Sequence, residues 1–229
     1  MAEQLRIFED RAAAGRELAR AVGSLRLARP LIVLGLPRGG VPVAYEVARA
    51  LCAPLDVLVV RKVGMPGQPE LAIGAIAAGG VVVREPVLSR FANLDLEFDA
   101  LARREHAELQ RRERAYRGGL APLDLNGTTA VLVDDGLATG ATMIAAVQAA
   151  RQAGAASVIV AAPVASTEAA ARIAEVADQL VVLETPPAFW AIGEWYVDFE
   201  QLEDAQVRAL LERARQEALE TKARSRGAA

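Results

Sequence analysis

The feature that most constrains the fold is a repeated alternation of short apolar runs with longer segments of helical spacing. Apolar runs that end at Gly, Pro or charged residues are typical of buried strands. Strands that alternate with helices build a parallel sheet, because each helix returns the chain to the same edge. The sequence therefore predicts an α/β protein with a five-stranded parallel sheet and flanking helices. The predicted strands lie at about 31–36, 55–60, 129–134, 157–163 and 179–183.

The remaining segments fit one domain that spans residues 1–229. Residues 63–84 carry Gly and Pro punctuation around a weak apolar run, which indicates a long flexible flap with a hairpin. An aromatic segment follows the last predicted strand at 189–199. Helical spacing predicts helices at about 9–22, 41–51, 95–117, 140–153, 168–177 and 201–216.

Charge and hydropathy exclude several classes of protein. A net charge of −3 and a pI near 5.4 argue against a nucleic-acid or anionic-membrane binder. The longest apolar stretch, at 71–83, is too short and too rich in Gly to span a bilayer, and the amino-terminal residues lack a signal-peptide core. Cys52 is the only cysteine, which excludes an intrachain disulfide, and we expect it to be a small buried apolar residue. These features predict a cytoplasmic protein.

The stretch VLVDDGLATGAT at 131–142 carries the strongest functional signal. Asp134 and Asp135 follow a predicted strand, at the edge of a parallel sheet where ligands bind. The small residues after them allow close approach of the backbone, and a helix that begins near Gly140 would point free N–H groups at an anion. The two carboxylates need proton donors or a metal ion as partners. The segment therefore predicts a ligand with one phosphate and a neighbouring diol.

Simpler and competing interpretations exist for the same residues. An ordinary Asp-Gly turn before a helix capped by Thr139 explains the stretch if it is taken alone. Dinucleotide sites need GxGxxG, nucleotide triphosphate loops need GK[ST] and α/β-hydrolases need GxSxG, and none of these patterns occurs in the chain.

VLVDDGLATGAT resembles the phosphoribosyl diphosphate (PRPP) motif of type I phosphoribosyltransferases. The resemblance implies the type I fold over about Leu31 to Leu183, with a flap and a carboxyl-terminal hood at about 184–200. It implies that Asp134 and Asp135 hold the ribose hydroxyls. The 5′-phosphate would be bound by Ala138, Thr139, Gly140, Ala141 and Thr142. The segments DRAAAG, LPRGGVPVA, RKVGMPGQPELAIGA and VDDGLATGAT are most similar to bacterial members of unassigned substrate.

Two basic segments are placed for the pyrophosphate group. Arg38, Gly39 and Gly40 lie between a predicted strand and a helix start, where N–H groups and one guanidinium converge. The resemblance makes this the pyrophosphate loop, which in the family often contains a strained peptide bond. It also places Arg61 and Lys62 beside the pyrophosphate, ahead of a mobile loop that closes over the reaction. Solvated surface cations are the simpler interpretation of all three basic side chains.

The segment after Pro187 resembles the hood of purine-salvage members. Phe189 or Trp190 would then stack on a base, and Asp198 would be the acid that follows, although it stands one residue later than in hypoxanthine-guanine enzymes. The same aromatic residues could instead pack the hood onto the core. Those enzymes carry an Asp where this chain has Ala138, which argues against a 6-oxopurine handled in the usual way.

The resemblance implies a pentosyltransferase that moves the phosphoribosyl group of Mg-PRPP to a nitrogenous base or amine and releases pyrophosphate. Mg²⁺ would be held through PRPP and water, with Asp134, Asp135 and Asp198 as candidate ligands, and Arg38 and Lys62 would share in catalysis. A homodimer is the expectation for the family. Two alternatives stay open: a non-catalytic sensor of PRPP or nucleotides, and a metal-dependent phosphohydrolase.

Overall fold

The main sheet has five parallel strands, as the sequence predicted. The computed structural model describes residues 6–65, 67–84, 94–121 and 123–227. The strands of the main sheet are Leu31–Gly35 (β1), Leu55–Val57 (β2), Thr129–Val133 (β6), Ser157–Val164 (β7) and Gln179–Glu184 (β8). They stand in the order β2-β1-β6-β7-β8, and every neighbouring pair is parallel.

Helices cover both faces of this sheet. The alternating residues of β1 and β6 separate two apolar clusters, because successive side chains of a strand point to opposite faces. Val33 and Val131 belong to one cluster, and Leu34 and Leu132 to the other. The described helices are Arg11–Gly23 (α1), Gly40–Leu51 (α2), Leu94–Arg117 (α3), Ala141–Gln152 (α4), Thr167–Ala174 (α5) and Asp204–Gly227 (α6).

A second, antiparallel sheet occupies the region predicted as the flap. It consists of β3 (Val60–Met65), β4 (Gln68–Ala77) and β5 (Val81–Arg84), and it packs against α3 and α4. The predicted hairpin is present between β3 and β4, although residue 66 lies outside the described part. Val63 and Ile73 are buried with Phe98 of α3. The segment predicted as one strand at 55–60 belongs to two sheets. Residues 55–57 form β2 of the main sheet, and residue 60 begins β3 of the second sheet.

Buried polar contacts tie α3 to the rest of the domain. The Arg117 guanidinium donates to both carboxylate oxygens of Asp56 in β2, with Nη2 3.1 Å from Oδ2. The Tyr116 hydroxyl donates to Asp204 at the start of α6, at 2.5 Å. Cys52, expected to be buried, is exposed after the last turn of α2. Within the described ranges, no helix has the length and hydropathy that a membrane span needs.

Candidate active site

The candidate site lies where the strand order reverses. From β1 the chain crosses to β2 on one side, whereas β6 lies against β1 on the other and leads on to β7 and β8. The last residues of the two central strands, Gly35 and Val133, are register partners, and the Leu36 N–H donates to the Val133 carbonyl at 2.9 Å. The loops that follow these strands therefore begin side by side. Such a reversal is the position at which open α/β sheets bind ligands.

Two glycines allow the loop after β1 to touch the loop after β6. A Cβ atom on Gly39 would lie 1.9 Å from Oδ2 of Asp135. A Cβ atom on Gly40 would lie 2.5 Å from the Val133 carbonyl oxygen and 2.8 Å from Cα of Asp134. These distances are impossible for a side chain, so only glycine permits this approach. The structure thus brings the predicted pyrophosphate loop and the predicted ribose acids into direct contact.

The loop after β1 also carries the predicted cation. The peptide bond between Pro37 and Arg38 is cis. The Arg38 side chain is half-buried, and its Nη1 atom lies 4.0 Å from Oδ1 of Asp204. The amino end of α6 therefore faces the cation proposed for pyrophosphate, an arrangement that no local sequence pattern indicates.

The predicted phosphate loop ends at the amino terminus of α4. Gly140 has φ of 77°, a left-handed conformation that favours glycine, and α4 begins at the next residue. Ala138 and Thr139 are exposed, and the Ala141 N–H is 3.5 Å from the Thr139 hydroxyl oxygen. The first N–H groups of a helix have no partner within the helix, and the helix dipole adds positive charge at this end. The loop is therefore suited to bind an anion.

Neighbouring elements hold the same loop in place through its carbonyl groups. The Ser166 hydroxyl donates to the carbonyl oxygen of Ala138 at 2.6 Å, and the Arg172 guanidinium donates to that of Thr139 at 3.1 Å. With two carbonyl oxygens engaged by other side chains, the loop can direct its N–H groups outward. Ser166 and Arg172 were not identified from the sequence, because each lies on a later element that no local pattern connects with the loop.

The two acids lie where the loop after β1 contacts the loop after β6. Asp135 is 7% exposed, and Oδ1 of Asp134 accepts a hydrogen bond from the Asp135 N–H at 2.9 Å. Burial raises the pKa of Asp134 well above its usual value, and the neighbouring Asp135 charge raises it further. Burial also raises the pKa of Asp135, and the Arg11 guanidinium opposes that rise. Two closely spaced carboxylates of this kind favour cationic or proton-donating partners.

Arg11 is a residue of the candidate site that the sequence did not predict. Its Nε atom donates to Oδ2 of Asp135 at 2.8 Å, and both side chains are largely buried. Its Nη1 atom donates to the carbonyl oxygen of Glu200 at 3.0 Å, and its guanidinium lies 3.8 Å from the centre of the Phe199 ring. Arg11 belongs to the DRAAAG segment that matched the family, which was the available signal, but nothing local assigns it a role.

The hood is built from residues that precede α1 and residues that follow β8. The Phe8 N–H donates to the Trp195 carbonyl and the Val197 N–H donates to the Phe8 carbonyl, both at 2.8 Å. The buried Tyr196 hydroxyl donates to the carbonyl oxygen of Asp135 at 2.5 Å. Tyr196 also stacks on Phe199, with 5.0 Å between ring centres. The hood is therefore fastened directly to a residue of the loop that follows β6.

The residues predicted to contact a base take two different positions. Phe189 packs beside the buried cluster that contains Phe8, Trp195 and Tyr196, so it helps to hold the hood on the core. Trp190 is 85% exposed. Asp198 is exposed, and its carboxylate accepts from the Glu200 N–H at 3.1 Å. The described contacts thus place Asp198 in a turn of the hood, without a bond to the acid pair.

The basic pair after the second predicted strand lies at the start of β3. Arg61 donates to Oε2 of Glu105 on α3, from Nε at 2.8 Å and from Nη2 at 2.5 Å. Lys62 pairs with Ala75 of β4 in the antiparallel sheet. Arg61 is therefore already matched by a carboxylate, which the sequence did not predict.

The described residues contain no group of three or more His, Cys, Asp and Glu side chains that could hold a metal ion. Mg²⁺ takes six oxygen ligands and usually keeps several waters. The oxygens of Asp134 and Asp135 fit such an ion when most of its ligands are phosphate and water. The site therefore fits a metal that arrives with a phosphorylated ligand.

Comparison with known proteins agrees with this geometry. The family model of the phosphoribosyl transferase domain matches residues 4–200. Two curated proteins of Mycobacterium tuberculosis, from strains CDC 1551 / Oshkosh and ATCC 25618 / H37Rv, are each 50% identical over 211 residues, and both are named "Putative phosphoribosyl transferase". These matches cover 92% of this chain and 47% of each relative, so the chain spans about half the length of the curated relatives it matches.

A solved structure gives the same result for the fold. The crystal structure of TT1426 from Thermus thermophilus is 45% identical, covers 90% of this chain and 97% of that chain, and has a TM-score of 0.78. The chain belongs to the phosphoribosyltransferase family, and its five-stranded parallel sheet with flanking helices is the type I fold of that family.

Proposed function

We propose that this protein transfers the 5-phosphoribosyl group of PRPP to a nitrogenous base or amine and releases pyrophosphate. The observation that carries the proposal is one juxtaposition. Asp134 and Asp135 lie between the amino terminus of α4 and the Gly39–Gly40 loop, so a diol site stands between two anion sites. PRPP has this order of groups, with its ribose hydroxyls between a 5′-phosphate and a pyrophosphate.

The 5′-phosphate would bind at the start of α4. Backbone N–H groups of Ala138 to Thr142 and the hydroxyls of Thr139 and Thr142 are the donors, and Gly140 leaves room for the anion. The ribose hydroxyls would donate to the carboxylates of Asp134 and Asp135. Because both acids are largely enclosed and close together, each gains from a hydrogen-bond donor that satisfies its charge.

The pyrophosphate group would lie against the loop after β1. Arg38 and the backbone of Gly39 and Gly40 would contact it, with Lys62 and Arg61 approaching from β3. Asp134 or Asp135, together with water, would hold the Mg²⁺ that arrives with PRPP. This ion would supply positive charge beside the departing pyrophosphate. Asp198 would join this set through its second carboxylate oxygen, since Oδ1 accepts the hydrogen bond from the Glu200 N–H.

The reaction would be a displacement at C1 of the ribose. The bond from C1 to the pyrophosphate oxygen breaks and its electron pair leaves with pyrophosphate, while positive charge develops on the ribose ring. A bond from C1 to the acceptor nitrogen forms, and the proton of that nitrogen passes to water. Arg38 and Lys62 would stabilise the leaving group, while Asp134 and Asp135 would hold the ring in line. The hood and the β3–β4 hairpin would exclude water, which would otherwise attack C1.

The acceptor would approach from the side of the hood. The exposed Trp190 ring offers a face for a planar base, whereas the half-buried Phe189 is the weaker candidate because its ring supports the hood. Ala138 places no titratable group in the phosphate loop. An acceptor whose nitrogen needs no proton transfer to this loop therefore suits the site better than a 6-oxopurine handled in the usual way.

Calorimetric titration of the whole chain with PRPP and Mg²⁺, followed by a panel of bases and amines, tests the proposal. We expect PRPP to bind, and one acceptor to tighten binding and release pyrophosphate. Binding without turnover on any acceptor would favour the PRPP sensor. Release of phosphate from simple esters without PRPP binding would favour the phosphohydrolase.

A further inference from the structure

Arg11 connects three groups that belong to different parts of the site. One nitrogen holds the carboxylate of Asp135, another holds the backbone of Glu200, and the flat guanidinium covers the Phe199 ring. The side chains of Arg11 and Asp135 are 12% and 10% exposed. A guanidinium is planar and its donors are fixed in a fork, so a shift of Asp135 must move either the hood or the cation.

The hood also contacts Asp135 through its backbone. The Tyr196 hydroxyl donates to the Asp135 carbonyl oxygen, and the Tyr196 ring stacks on Phe199, which in turn lies under Arg11. The contacts thus form a closed ring of four residues, Asp135, Arg11, Phe199 and Tyr196. Arg11 engages Oδ2 of Asp135, and a carboxylate has a second oxygen and further lone pairs for a ligand.

We propose that Arg11 is a positioning residue that couples the ribose-binding acid Asp135 to the hood. A hydroxyl bound to Asp135 fixes the carboxylate, the carboxylate fixes Arg11, and Arg11 fixes Phe199 and Glu200. Occupation of the ribose site thereby orders the surface against which the acceptor lies. This inference rests on the proposed function, since the hydroxyl that starts the sequence is that of PRPP.

The chain carries its own reporters for such coupling. Both of its tryptophans, Trp190 and Trp195, lie in the hood, one exposed and one buried. Their fluorescence emission therefore reports on the hood, while calorimetry reports PRPP affinity separately. In the wild type, we expect Mg-PRPP to change the emission with a midpoint that matches the calorimetric Kd.

Two variants of Arg11 separate its charge from its shape. Arg11→Gln should weaken PRPP binding about tenfold, a typical size for the coupling between two sites, because the Asp135 carboxylate is no longer held for the ribose hydroxyl, and it should show no emission change even at saturation. Arg11→Lys keeps a charge beside Asp135 but cannot also reach Glu200 and cover Phe199. It should restore most of the affinity and none of the emission change. Arg16→Gln, at an exposed position of the same helix, should behave like the wild type.

The other outcomes distinguish a failure of the proposed function from a failure of the Arg11 inference. A wild type that does not bind PRPP overturns the proposed function and this inference with it. A wild type that binds PRPP without a change in emission, or an Arg11→Gln variant that keeps both the affinity and the emission change, overturns the inference alone. If Arg11→Gln does not fold, Arg11→Lys carries the test, because a full emission change in that variant excludes a role for the planar guanidinium.

Discussion

A Cβ atom on Gly39 would lie 1.9 Å from Oδ2 of Asp135, the oxygen that accepts the hydrogen bond from Arg11. Gly39 has φ of −60° and ψ of −38°, which any residue can adopt, so the requirement for glycine is steric. The loop after β1 and the acid after β6 therefore fit together only because a hydrogen atom replaces a side chain at this point.

We expect Gly39→Ala to disrupt the site. The methyl group must displace either the loop or the Asp135 carboxylate, and overpacking of this kind costs about 1–3 kcal/mol. PRPP binding should be lost, as measured by calorimetry, with a moderate fall in the free energy of unfolding. Gly23→Ala is the matched control, because a Cβ atom there meets nothing within 4 Å and should stabilise α1 slightly. Wild-type affinity in Gly39→Ala would show that the loop contact is not needed for binding.

Asp135→Asn should weaken PRPP binding at least about tenfold, since a hydrogen bond to a charged group contributes about 1.5–3 kcal/mol. The amide keeps the shape of the carboxylate and removes its charge, so the fold should persist by circular dichroism. Asp124→Asn, at an exposed position ahead of β6, provides the control. A folded Asp135→Asn variant that binds PRPP as tightly as the wild type would refute the ribose assignment.

Glu105→Gln should strengthen the binding of pyrophosphate with Mg²⁺ by about threefold, the effect of an ion pair worth about 0.6 kcal/mol. Arg61 gives two hydrogen bonds to Glu105, so its charge is shared with α3. Removal of the Glu105 charge allows Arg61 to turn toward the ligand. Unchanged pyrophosphate affinity, together with lower thermal stability, would instead make the pair purely structural.

We expect the tyrosines to ionise at a higher pH in the folded chain than in the unfolded one. Burial and a hydrogen bond to Asp204 raise the pKa of Tyr116 from 10.0 to about 12, and burial raises the pKa of Tyr45 and Tyr196 above the usual value. The folded state favours the neutral phenol, so this contribution to stability is complete below pH 10 and is lost as pH rises toward 12.

Ultraviolet absorbance of the phenolate group, followed against pH in buffer and in denaturant, measures the shift. Tyr116→Phe should remove the component near pH 12. Superimposed titration curves for the native and denatured protein would contradict the prediction.

The central strands and the loop after β6 could be predicted because their signals are local. The apolar run that ends at Val133 gives the strand, the two acids give its carboxyl end, and Gly140 gives the turn into α4. Each of these depends on neighbours within a few residues. The parallel sheet then follows from the alternation of strands with helices.

The parts that could not be predicted depend on contacts between distant residues. Arg11 and Asp135 are 124 positions apart, and nothing near either residue indicates the other. The segment at 55–60 contains no Gly or Pro to mark a break, and the point at which it leaves one sheet for the other depends on where β4 pairs with it. The packing of Phe189 depends in the same way on Phe8, which belongs to the cluster beneath the hood.

The pairing of Phe8 with Trp195 and Val197 has a consequence for the order of folding. Synthesis on the ribosome proceeds from the amino terminus, so β1, β6 and the loop after β6 exist as chain well before residue 195 is made. Phe8 and Arg11 can make their hood contacts only after residues 195–200 have been synthesised. Joining segments so far apart in the sequence has a high cost in loop-closure entropy. The sheet and the loops after β1 and β6 can therefore form in the nascent chain before the hood exists.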